Sequence, residues 1–106
     1  VTTIADGLKA PLAERTFRAL AEHLAEIVTV PEAAIVDAMR WVWERMKVVV
    51  EPSAAVPVAA LLSTDLGARL AAGAGEAGGD GGPRIGVILS GGNVDLDRLP
   101  WDGAAR

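Results

Sequence analysis

Residues 86–101 read GVILSGGNVDLDRLPW, and Ser90-Gly91-Gly92-Asn93 within them is the stretch best suited to chemistry. A β-branched run reverses with one or two flexible residues, yet here a hydroxyl, two glycines and an amide follow the last apolar side chain. Gly91 and Gly92 remove side chains so that backbone can approach a ligand. The Ser90 hydroxyl can donate to a neutral acceptor. Ligands meet the carboxyl ends of strands in open α/β sheets in this way. A plain glycine turn after a buried strand is the competing reading, and spacing alone leaves both open.

Other candidates are weaker taken singly. Glu51 in EPS is a carboxylate at a helix start, where the helix dipole stabilises it without any function. Asp6-Gly7 in IADG is, by itself, a turn. Lys47 reads as a solvated lysine at a helix end, Asn93 as a turn asparagine, and His23, near Glu22 and Glu26, as a surface histidine. The glycine-rich stretch 73–83 lacks the Lys-Ser/Thr ending of a phosphate loop and precedes a strand. It is expected to be a flexible surface connection.

The elements that must position these residues follow from periodicity. Residues 1–11 read as a loop punctuated by Gly7 and Pro11. Leu12 to about Ala25 favour helix, with Leu12, Thr16 or Phe17, Leu20 and Leu24 at helical spacing. Residues 26–30 (EIVTV) are short and β-branched, a strand. Pro31 suits the first turn of a helix reaching about Lys47. Ile35, Met39, Val42, Met46 and Val49 form its apolar stripe, with Arg40, Glu44 and Lys47 on another face. Trp41 and Trp43 point to different sides and serve packing, in part at a subunit contact. Pro52 and Ser53 start a third helix with Ser53 as its cap; Pro57 falls near the end of its first turn, where a proline begins to be costly. Arg84–Leu89 reads as a second strand.

Helix, strand, helix, helix, strand is α/β order. Two near-continuous apolar strands want partners on both edges and helices on both faces, so the chain is expected to be a slice of a mostly parallel sheet with helices packed on it. Its 106 residues allow one small domain. Apolar residues at 51% and charged residues at 23% exclude a disordered tail. A net charge of −4 with scattered basic residues argues against nucleic acid. No apolar run approaches the ~20 residues that span a bilayer, which argues against a membrane partner. The absence of cysteine removes disulfides and thiolate metal sites and suits a cytoplasmic protein; no metal ligands are assigned. Starting at Val1 in a loop, the chain is expected to be part of something longer.

Three motifs, SGGNVDLDRLPW, TIADGLKAPLAERTF (residues 3–17) and VWERMKVVVEPSAA (residues 42–55), resemble the carboxyl-terminal part of the fold-type II pyridoxal-phosphate enzymes. The resemblance lies in the branch holding serine racemase, threonine dehydratase and hydroxyaspartate dehydratase, and covers residues 3–101 in the family's order. It implies that residues 1–106 are the carboxyl-terminal segment of a large, tryptophan synthase β-like cofactor domain, incomplete alone. By the same resemblance Ser90 bonds the pyridine nitrogen, with Gly91 and Gly92 beside it. A hydroxyl there suits an unprotonated nitrogen, whereas a carboxylate would stabilise the pyridinium. Glu51 then lies beside the cofactor ring, and Asp6 and Gly7 belong to a loop bordering the substrate. Ala10 stands where serine racemases carry a serine that helps hold the substrate carboxylate, a departure that favours a lyase. Lys47 and Asn93 match positions that contact a nucleotide effector in animal serine racemases.

The implied activity is a dehydratase (ammonia-lyase) converting a β-hydroxy amino acid such as threonine, serine or hydroxyaspartate to a 2-oxo acid and ammonia, with serine racemisation as the alternative. By the same resemblance the family's Schiff-base lysine, phosphate-cradling loop and acidic ligands for a divalent cation (magnesium or calcium) belong to the portion before Val1; Lys9 and Lys47 do not sit in that lysine's serine-any-lysine context. The partners implied are that N-terminal portion, a second copy in a homodimer and a small amino-acid substrate. A free-standing non-catalytic assembly module is the remaining alternative. Its exposed apolar sheet edge, which invites aggregation, counts against it.

Overall fold

The computed structural model describes residues 2–73 and 82–103. Its regular structure is a short 3-10 turn at Asp6–Leu8 followed by α1 (Glu14–His23), α2 (Glu32–Met46), α3 (Pro52–Ser63) and α4 (Leu66–Gly73).

The α2–α3 pair is the centre of the molecule. On α2, Ile35, Ala38, Met39 and Val42 recur at i, i+3, i+4 and i+7 and are all buried. On α3 the buried side chains are alanines at 54, 55, 59 and 60, small enough to let the two helix backbones approach closely. Ala5 and Val50 complete the cluster. Met39 and Val42 have no exposed surface, and burying side chains of that size is worth about 1.5–3 kcal/mol each. Around this core pack Val30, Leu89, Val94, Trp43 and Trp101.

Local chemistry sets the helix ends. Pro31 is the N-cap of α2, with Glu32 as its first residue. The helix stops at Lys47, whose φ of 58° and ψ of 34° are left-handed. Its Nζ donates to the Glu44 carbonyl at 2.7 Å, satisfying one open acceptor of the last turn. Pro52 occupies the first turn of α3, where its missing N–H costs nothing. Pro57 lies further in, and α3 continues past it.

Several expectations are corrected. Among the described residues no strand is assigned, so the mostly parallel sheet is not seen. A strand exists only through hydrogen bonds to a neighbour, and no backbone bond joins 26–30 to 84–89. Ile27 and Ile88, in the middle of these two segments, are 80% and 83% exposed. The apolar stripe of α2 also ends early: Met46, the last helical residue, is 49% exposed, and Val49, 52% exposed, lies beyond the left-handed Lys47 that takes the chain off the helix. The first helix is shorter than 12–25. The N-cap of α3 is Glu51, so Ser53 lies inside the helix and caps nothing. Helix α4 was not expected; it begins where Thr64 Oγ1 accepts from the Leu66 N–H at 3.1 Å, and it takes up Gly73. The rest of the glycine-rich connection, residues 74–81, lies outside the described residues.

The resulting body is thin. It measures 47 × 39 × 20 Å with a radius of gyration of 15.7 Å, against about 13 Å for a compact domain of this length.

Candidate functional site

The first turn of α3 gathers motifs that are far apart in sequence. Glu51, its N-cap, accepts from the Ala54 and Ala55 N–H groups at 3.1 and 3.2 Å and donates its own N–H to the Gly91 carbonyl at 3.0 Å. Two residues later, Ser53 Oγ accepts from the Gly7 N–H at 3.0 Å. One turn of helix therefore holds both the Asp6–Leu8 turn and the Ser90–Gly92 segment.

The glycines are explained by this seating. A Cβ at residue 92 would stand 2.6 Å from the Val49 carbonyl oxygen, and one at residue 91 would collide with the Glu51 carboxylate. Neither residue has a positive φ, so closeness and not left-handed backbone is what requires glycine. Spacing left a ligand approach and a plain turn both open; in the structure residues 49–51 lie against these glycines. Gly7 is similar, since its Cβ would lie 3.0 Å from Ser53 Oγ.

Ser90 is exposed, and among the described residues its hydroxyl makes no hydrogen bond. A neutral donor thus stands at the surface next to Gly91, whose carbonyl is bonded by the Glu51 N–H. Glu51 is half-buried beside Gly91. Asp6 and Gly7 are exposed at the surface of their turn.

The Asp6–Leu8 turn has a second anchor at its upstream end. The Ile4 N–H donates to Glu32 Oε2 at 2.8 Å, and Ala5, between Ile4 and the turn, is fully buried. Glu32 begins α2, so the loop is pinned to both central helices. The Ile4 N–H and then the Thr3 hydroxyl hold the Glu32 carboxyl below its ordinary value; desolvation opposes them, and the Lys9 charge adds the least.

Lys47 and Asn93 are both exposed, no hydrogen bond joins them, and the Lys47 amine is engaged with Glu44. His23 sits at the surface with Nε2 4.0 Å from Glu22 Oε2, as expected.

Sequence reasoning missed two supports. Ser53 was expected to cap its helix, and instead it receives Gly7. Trp43 is half-buried and donates its indole N–H to the Val50 carbonyl at 2.9 Å, while its ring meets Trp101 edge-to-face at 5.3 Å. The signal for Trp43 was present, because a tryptophan on the inward side of a helix needs an acceptor.

Comparison with known proteins gives a consistent family. The sequence profile of the family described as "Pyridoxal-phosphate dependent enzyme" matches residues 1–91. β-Hydroxyaspartate dehydratase of Paracoccus denitrificans is 45% identical over 94% of this chain and 28% of that protein. Serine racemase of Oryza sativa subsp. indica is 42% identical over 94% of this chain and 27% of its own length. The crystal structure of serine racemase from Dictyostelium discoideum superposes with a TM-score of 0.74 at 38% identity, covering 91% of this chain and 28% of that one. The chain therefore spans somewhat more than a quarter of the relatives that it matches.

Proposed function

Because the chain belongs to the pyridoxal-phosphate dependent enzymes, we propose that it forms the carboxyl-terminal segment of a lyase acting on a β-hydroxy amino acid such as threonine, serine or hydroxyaspartate, with a 2-oxo acid and ammonia as products. One observation carries this: the Ser90–Gly92 segment and the Asp6–Leu8 turn are held together on the first turn of α3, with Ser90 exposed beside them.

Members of the family use pyridoxal phosphate, and the residues present fit one edge of it. A pyridine nitrogen is a neutral acceptor, which a free serine hydroxyl can serve. The close seating of Gly91 and Gly92 on residues 49–51 fixes where that hydroxyl stands. When bound, the cofactor supplies an electron sink for the carbon that loses its proton. Ser90 would donate to the ring nitrogen and so suit its unprotonated form, whereas a carboxylate in its place would favour a proton there. Glu51 keeps the adjacent backbone in register through its N–H to Gly91. The Asp6–Leu8 turn, pinned by Ser53 and Glu32, would border the substrate.

The Schiff-base lysine comes from the rest of the enzyme. Lys9 and Lys47 are exposed, and the Lys47 amine is occupied by Glu44. Similarity to β-hydroxyaspartate dehydratase supports a lyase, as does Ala10, which offers no hydroxyl to a substrate carboxylate. Similarity to serine racemases supports racemisation as the second reading; it needs a second base on the opposite face of the substrate. The exposed Ile27 and Ile88 support completion by the N-terminal portion over a free-standing module.

The test is to supply the complete pyridoxal-phosphate-loaded enzyme with each L-β-hydroxy amino acid and measure 2-oxo acid, ammonia and the D-enantiomer. Equal release of 2-oxo acid and ammonia, well above enantiomer formation, is expected. Enantiomer without 2-oxo acid would establish the racemase.

A further inference from the structure

Trp43 lies outside the Ser90–Gly92 segment, yet it bonds the stretch on which that segment is seated and meets Trp101 downstream of it. Its indole N–H donates to the Val50 carbonyl at 2.9 Å. The next residue, Glu51, donates its N–H to the Gly91 carbonyl, and the preceding one, Val49, presents the carbonyl on which Gly92 is seated. A single indole hydrogen bond thus falls at the middle of the three residues that form the seat. Downstream, the chain turns back through residues 94–100 to place Trp101 edge-to-face on the same indole, with ring centroids 5.3 Å apart. The Arg40 guanidinium stands over the Trp101 ring at 6.0 Å and is held by Glu44 at 2.7 Å, one turn along α2.

We propose that Trp43 is a positioning residue for Ser90. Its N–H fixes the residue 49–51 seat, and its ring, through Trp101, ties down the far end of the segment, so that the hydroxyl is presented at one place. A glycine pair is the most freely rotating backbone in the chain and needs restraint on both sides. The meaning of the cofactor readout rests on Ser90 being the ring-nitrogen partner proposed above.

The experiment uses the complete enzyme with pyridoxal phosphate bound, in wild-type form and as Trp43→Phe, Trp101→Ala, Trp101→Phe and Ser90→Ala. Two quantities are read: amide hydrogen exchange at Glu51 and residues 91–93, and the absorbance and circular dichroism of the bound cofactor. Trp43→Phe keeps the ring and loses the donor. Losing one hydrogen bond of ordinary strength should speed exchange at Glu51 by about threefold to tenfold and move the cofactor's dichroism in the direction of Ser90→Ala. Trp101→Ala should speed exchange at 91–93, and Trp101→Phe should recover most of that loss. Unchanged exchange in both Trp43→Phe and Trp101→Ala overturns the proposal, as does faster exchange with a wild-type cofactor spectrum where Ser90→Ala shifts it. If Ser90→Ala itself leaves the spectrum unmoved, the cofactor role of Ser90 fails, and the exchange rates alone decide the role of Trp43. Should Trp43→Phe not fold, the Trp101 pair carries the same decision.

Discussion

At Gly92 the structure leaves no room for any side chain, because the Val49 carbonyl oxygen stands 2.6 Å from where a Cβ would be. At Gly91 the obstacle is the end of the flexible Glu51 side chain, which can swing away. The two glycines therefore differ. Gly92→Ala should cost about 1–3 kcal/mol of stability, the range for forcing atoms into a packed site, and should displace Ser90. Gly91→Ala should cost less and act chiefly by moving the Glu51 carboxylate. Thermal unfolding of the complete enzyme, together with its cofactor spectrum, checks both; equal effects would contradict this account of the seat. The sequence offered a close approach at the two glycines after Ser90 beside a plain turn. It did not show what approached, since the Val49 carbonyl lies 43 residues away and nothing in local spacing pairs them.

Among the elements, α2 and α3 were legible and their surroundings less so. The stripe at Ile35, Met39 and Val42 and the proline at residue 52 signal helix by local rules, and both helices stand where those rules put them. Helix α4 escaped because its LGARLAAG runs into glycines, although Thr64-Asp65 before it is a usable start signal. The strands failed for a different reason: β-branched composition is local, but a ladder is a relation between two segments. Tethering of the Asp6–Leu8 turn to α2 also depends on a long-range pair, Glu32 with the Ile4 N–H. The Glu32 carboxyl is depressed below its ordinary value when folded. Its contribution is thus complete above the unfolded value, near pH 4.5, and disappears as pH falls through the lower folded value. Wild type should exceed Glu32→Gln in thermal stability at pH 7, with the difference shrinking as pH falls below 4.5. A difference independent of pH would show that the carboxylate charge is not what holds the loop.

As a whole, the molecule has a well-packed helical centre and broad apolar surroundings. Trp41, Met46, Val58, Leu61, Leu62, Val87 and Leu89 line an apolar hollow of about 280 Å³. Another, of about 250 Å³, lies along Leu12, Phe17, Leu20, Leu24 and Ile27. Phe17 and Leu20 of the stripe expected for the first helix lie on α1 and, with Leu12 and Leu24 beyond its ends, line that hollow. Such surfaces, with Ile27 and Ile88 beside them, suit a segment covered by the rest of an enzyme. What the assembled enzyme would do turns on the atom that Ser90 meets. The direct measurement is the nitrogen-15 NMR shift of labelled pyridoxal phosphate in the complete enzyme, as wild type, Ser90→Ala and Ser90→Asp. An unprotonated ring nitrogen in the wild type that becomes protonated in Ser90→Asp is the predicted result. A protonated nitrogen in the wild type, or a shift indifferent to residue 90, would contradict the role given to this serine.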